Sequence, residues 1–181
     1  MEKTIFIIAL LFCTLSLKAQ QPEPKVEKSL LSAYILPLKI AYEQGIGDQY
    51  TTEISAGLTG FTEINENNIA FAVAPVIRGD FKHFYNLNRR WEKGKNVDRN
   101  SGNFWGLATR YTFTPIGDSN NYHEIEGGSL FIAPMWGIQR NYPSHLSLGL
   151  NLGYGVAITG STVTFDPLIH FRLGFILFSS H

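Results

Sequence analysis

Cysteine is almost missing from this chain. Cys13 is the only one among 181 residues, and it sits in an apolar run near the start. Disulfides, thiolate metal sites and cysteine nucleophiles are thereby excluded from all that follows it. Charge is scarce as well. Asp, Glu, Lys and Arg make up 17%, low for a soluble domain, with 15 basic residues against 15 acidic. Without residues 1–19, which carry Glu2, Lys3 and Lys18, 13 basic residues face 14 acidic ones, a net charge of −1. A field that weak does not steer nucleic acid to the protein, so no nucleic-acid partner is expected. Helical periodicity of useful length is missing, and no glycine loop has phosphate-binding spacing. What is abundant is aromatic residues, at 13%, and glycine, at 17 residues. That mixture suits strands and tight turns. The length fits one domain better than two.

The first residues read as an address. Lys3 supplies a short positive region, and residues 5–17 are apolar apart from Thr14 and Ser16. Leu17-Lys18-Ala19 then places a small residue where a signal peptidase cuts, leaving Gln20 as the new N-terminus. The run is too short to span a membrane, so residues 1–19 are expected to be a cleaved signal peptide. A lipoprotein reading fails on sterics, because the bulky Phe12 precedes Cys13. Residues 20–28 are polar, with Pro22 and Pro24 blocking both helix and ladder pairing, and read as a linker. Residues 29–181 are left as the folded domain.

Period-two alternation runs through that domain. The clearest segment is 146–157, with Leu146, Leu148, Leu150, Leu152, Tyr154 and Val156 on one face. Ser147, Gly149, Asn151, Gly153, Gly155 and Ala157 take the other. Twelve residues of strand span about 40 Å, at about 3.4 Å per residue, and ordinary strands have about 5–6 residues. In the last segment Val163, Phe165, Ile169, Phe171, Phe175 and Leu177 share a face, opposite Asp166, His170 and Arg172. Ile176 and Phe178 fall on that second, polar face by parity. Segments 35–44, 50–60, 69–85, 103–114 and 129–140 show the same pattern less cleanly. Seven strands follow directly. The even number required for closure makes 27–33 the eighth, turning straight into the next strand. The expected fold is all-β, an antiparallel up-and-down transmembrane β-barrel of eight strands.

Alternation alone does not say which face meets the core. A soluble sandwich buries the apolar face, whereas a membrane barrel puts it outside and polar groups within. Long strands, and aromatics near strand ends (Trp105, Phe113, Tyr154, Phe175), favour the membrane barrel. So does the last strand, with Phe175-Ile176-Leu177-Phe178 close to its end, a pattern similar to the assembly signal of outer-membrane barrels. The inward positions would then be Lys39, Glu43, Glu53, Arg78, Asp80, Lys82, Arg110, Asp166, His170 and Arg172, expected to form a crossed salt-bridge network across the lumen.

Several stretches resemble one family. They are residues 36–43 (LPLKIAYE), 85–90 (YNLNRR) with Lys93-Gly94-Lys95, 101–104 (SGNF), 136–142 (WGIQRNY) and 171–175 (FRLGF). Together they resemble the small, roughly eight-stranded outer-membrane β-barrel proteins of uncharacterised function in Gram-negative bacteria, over residues 30–177. The resemblance implies the barrel and an outer-membrane location, with outer-membrane lipids and the barrel-assembly machinery as partners. It implies no activity.

Chemistry-bearing candidates are few. His145 and Ser147 lie two apart, so a strand would point them the same way, and a histidine can activate a serine for acyl transfer. The pair is similar to the His-x-Ser of outer-membrane lipid A deacylases, but no carboxylate lies nearby to orient the imidazole. An interfacial histidine beside a small lumen residue is the favoured reading. His83, His123, His170 and His181 lack metal-ligand spacing, and His123, Glu124 and Glu126 read as solvated loop. Arg89, Arg90, Lys93, Lys95 and Arg99 form a basic stretch that reads as a soluble turn, with lipid phosphates as the alternative contact. No catalytic, metal or cofactor residue is assigned. The expected role is a structural or surface-binding barrel, with a hydrolase using His145 and Ser147, or a narrow channel, as alternatives.

Overall fold

The structure, a computed structural model, describes residues 23–65, 68–116 and 128–180, without the side chains of 61–65 and 68–71. The signal-peptide reading and those on Cys13, His123, Glu124, Glu126 and His181 lie outside the described residues. Eight strands follow one another: β1 (Ser29–Leu36), β2 (Leu38–Gly45), β3 (Tyr50–Asn65), β4 (Asn68–Phe84), β5 (Asn103–Thr112), β6 (Ser129–Asn141), β7 (Leu146–Thr159) and β8 (Thr162–Ser180). Each pairs antiparallel with the next, and β8 closes on β1. The result is a closed eight-stranded up-and-down barrel, as alternation and the even-number rule led one to expect.

The stretch 27–33, assigned to a strand only by that rule, holds most of β1, which runs on to Leu36. The strand expected over 35–44 therefore starts late, at Leu38. The reason is Pro37. It has no N–H to give to a ladder, so the chain reverses there. In β8 one expectation fails by a single residue. Register shifts between Leu31 and Ser32 of β1, which face Phe178 and Ile176. This bulge leaves Ile176 buried and turns Phe178 outward, against simple parity.

Ser29 pairs with Ser180, so β1 starts and β8 finishes at one end of the barrel, here the lower end. The connections 46–49, 85–102 and 142–145 share it. The first of these and the last are short. The middle one holds a six-residue helix, α1 (Leu87–Glu92), and a 3-10 turn, Asp98–Asn100. It packs over the lower end, where Leu87 is buried with Phe84 and Phe104.

The upper rim is uneven. The last paired residue of β2 is Lys39, opposite Gly57, and that of β1 is Leu36, opposite Leu173. Residues 58–65 of β3 and 162–172 of β8 continue upward with no strand on that side. They stay paired on their other sides to β4 and β7. The short β1–β2 hairpin thus leaves a notch in the upper wall.

Candidate functional site

Burial alternates along most of the described strand residues, and the buried set carries the charge. Lys39, Glu43, Glu53, Arg78, Asp80, Lys82 and Arg172 are all buried. Four of their bonds, Lys82 to Glu43 and Gln139 and Arg172 to Glu53 and Gln139, join strands that are not neighbours and so cross the lumen. Lys82 on β4 donates to Glu43 on β2 at 3.2 Å, to Glu53 on β3, and to Gln139 on β6 at 3.2 Å. Arg172 on β8 donates to Glu53 at 3.0 Å and to Gln139 at 3.0 Å. Lys39 reaches Glu53 at 3.4 Å. Three neutral groups complete the coordination of Glu43: Thr51 donates at 2.7 Å, Asn100 at 3.1 Å and the Gln139 amide at 3.2 Å. Lys82 and Arg172 are 0% and 1% exposed, a depth at which such charges persist only when paired.

Register makes this arrangement necessary. Glu43 lies opposite Glu53, and Glu53 opposite Asp80, so three carboxylates sit side by side on β2, β3 and β4. Directly opposed like charges repel. Lys82, Arg172 and Lys39 offset the first two, and Arg78 holds Asp80 through both carboxylate oxygens at 2.9 Å.

The lower end is sealed by the 85–102 connection. Asn100, in left-handed backbone at φ 62°, accepts from the Glu27 N–H at 2.7 Å while it donates to Glu43. Asn141 donates to the Arg99 carbonyl, Ser101 Oγ donates to the Asn141 carbonyl at 2.9 Å, and Arg99 donates to the Tyr142 carbonyl at 3.0 Å. Arg90 donates within the connection, to the Asn96 carbonyl at 2.8 Å. The basic stretch is thus partly a fastening: Arg90 and Arg99 hold the cap, while Arg89, Lys93 and Lys95 are exposed or nearly so.

The upper half of the lumen differs. Arg110, Asp166 and His170 were expected in the crossed network and stand outside it. They are only half-buried, and Asp166 accepts from Thr164 at 2.9 Å instead. The cause is position. All three lie toward the notch, where the short β1–β2 hairpin presents no partner. A cavity of about 60 Å³ opens there, and Lys39, Arg78, Arg110 and His170 line it together with Leu58 and Val76. Arg78 and Arg110 are directly opposite one another in the ladder. Arg78 is taken by Asp80, whereas Arg110 makes no ion pair or hydrogen bond among the described residues and sits 5.0 Å from the Phe131 ring centroid. The His170 Nδ1 also has no hydrogen-bond partner among them.

The His145–Ser147 pair does not come together. His145 lies in the β6–β7 turn at φ 68° and is exposed, while Ser147 is buried and shares a 3.4 Å hydrogen bond with the Tyr34 hydroxyl. A strand would have aligned them, but the left-handed turn residue takes His145 out of the alternation. Among the described residues no group of three or more His, Cys, Asp or Glu is placed to hold a metal ion. No family model, curated protein or solved structure matches this chain. Sequence reasoning missed Gln139, Asn100 and Tyr34. Gln139 has the same parity as the buried Gly137 and was readable, whereas Asn100 acts from a connection with no periodicity.

The outer surface has the opposite character. Ile40, Ile54, Leu107, Ile169, Phe171 and Leu177 are among many large apolar side chains left exposed. Near the lower end Tyr50, His83, Trp105 and Trp136 lie opposite one another across four strands. Tyr50 stacks on His83 at 4.5 Å, and Trp136 donates to the Tyr85 hydroxyl at 2.9 Å.

Proposed function

We propose that this protein is an integral barrel of the Gram-negative outer membrane, with a structural or surface-binding role and no catalysis. One observation carries the reading: polarity is inverted. Charged side chains are buried in the lumen and large apolar ones cover the outside. Exposed large apolar side chains stand on all eight strands, where soluble monomers rarely expose large contiguous apolar patches, and such a surface suits hydrocarbon. The row from Tyr50 to Trp136 suits the interfacial aromatic belt. Residues 1–19 supply export as a cleaved leader, and β8, which closes the barrel on β1, is the strand offered to the assembly machinery. Lipids are then the immediate partners.

The test is fractionation followed by gel mobility. The mature chain, starting near Gln20, should be recovered from the outer membrane only with detergent. Unheated samples should migrate differently from boiled ones, because a closed barrel resists unfolding by detergent alone. Recovery as a soluble periplasmic protein would sink the proposal.

A further inference from the structure

We propose that the notch above the β1–β2 hairpin is a lateral portal that admits the carboxylate end of a long single-chain amphiphile from the surrounding lipid, with Arg110 as its anion-binding group. This rests on the membrane-barrel reading above.

The hairpin places the portal at the level of the lipid. β1 and β2 have eight residues each, fewer than the about 9–11 a tilted strand needs to cross. The turn itself is apolar and uncovered: Leu36 and Leu38 are exposed on either side of Pro37. A turn in water would carry polar residues, so this one suits hydrocarbon. On the wall beside the notch the outer face of β8 continues apolar, with Ile169 76% exposed and Phe165 66%. An acyl chain can therefore lie against protein while its head reaches the lumen. The edges flanking the notch, 58–65 of β3 and 162–172 of β8, pair with no strand on that side among the described residues. Within a bilayer such edges are tolerated only where they line a polar cavity.

The cavity selects the head. Arg78 and Arg110 face each other across the ladder, an arrangement that costs stability unless an anion lies between or beside them. Arg78 has its anion in Asp80, and Arg110 has none within ion-pair distance among the described residues. Asp166 acts on it only through space. Lys39 shares Glu53 with both Lys82 and Arg172, so it too is under-neutralised. His170 brings a nitrogen without a partner. About 60 Å³ holds roughly four water-sized groups. A carboxylate with its first methylenes suits that space.

Radiolabelled hexadecanoate is the probe, with the purified mature barrel in neutral detergent. Hexadecyltrimethylammonium is the competitor of opposite charge, and phosphatidylglycerol the diacyl competitor. Saturable binding is expected that neither competitor displaces. Arg110→Gln should weaken it by about 10-fold or more, the loss that follows removal of one charge-assisted hydrogen bond. Thr59→Trp, which fills the portal from β3, should weaken it comparably. The heat-dependent gel shift of each variant shows that the barrel is still closed. Unchanged binding in a closed Arg110→Gln barrel would overturn the proposal, and so would absence of saturable binding to the parent. Displacement by the cationic amphiphile would mean adsorption to the apolar belt, and displacement by phosphatidylglycerol a diacyl site; either overturns it. If the parent shows no gel shift and needs no detergent, the membrane reading has failed instead.

Discussion

At the scale of single residues, Lys82 holds the interior together. It is the only cation within ion-pair distance of Glu43 among the described residues, and it shares Glu53 with Arg172 and Lys39. Removing one member of a buried ion pair leaves the other charge uncompensated, which costs about 3–5 kcal/mol. Lys82→Met should therefore lower sharply the temperature at which the folded gel band disappears. Glu43→Gln in the same chain should restore part of that loss, because the stranded charge is then gone and Thr51 and Asn100 can still donate to the amide oxygen. An additive double mutant would show that Lys82 and Glu43 do not act as a pair. The charged members of this cluster could be read from the sequence, since period two assigns Lys39, Glu43, Glu53, Lys82 and Arg172 to one side of their strands. Which of them meet could not. Partners such as Arg172 and Glu53 are 119 positions apart and on strands that are not neighbours, so only closure of the barrel joins them.

At the scale of elements, alternation located seven strands because each has one wet and one apolar face, and closure by an even count supplied β1. What it could not supply was length. The notch exists because β1 and β2 stop at Pro37 while β3 and β8 continue, a difference of register between separate hairpins. The lower cap was equally illegible, since Asn100 and Arg99 are held by left-handed backbone and long-range hydrogen bonds rather than by a pattern. The closing seam is where element and assembly meet. Phe175 pairs with Ala33 and Phe178 with Leu31, and both rings are exposed on the outer face. If β8 is the assembly strand proposed above, replacing both with polar residues removes the apolar surface that it offers. That variant should accumulate poorly in the outer membrane and be degraded in the periplasm. Normal membrane levels, read by immunoblot of fractions, would show that the end of β8 carries no assembly information.

At the scale of the whole molecule, an up-and-down barrel fixes which connections share an end. The 85–102 connection lies at the end where β1 starts and β8 finishes, and Thr112 of β5 and Ser129 of β6 lie at the opposite end. If the chain ends face the periplasm, a membrane-impermeant thiol reagent on intact cells should label Asn120→Cys and spare Lys95→Cys. Labelling at position 95 from outside inverts the map. The same architecture decides conduction. An eight-stranded barrel is about wide enough for its own side chains, and here Lys82, Arg172, Gln139 and the two glutamates fill the lower lumen with mutual bonds. Below them Asn100, Asn141 and Leu87 close the end. The upper cavity opens to the notch and the upper rim, so a solute that enters there meets this double seal before it can cross. Planar-bilayer recordings of the purified protein should therefore show no stable large conductance at either polarity. Reproducible steps of porin size would mean that the cap and the Lys82 cluster move aside together, and the protein would then be a channel.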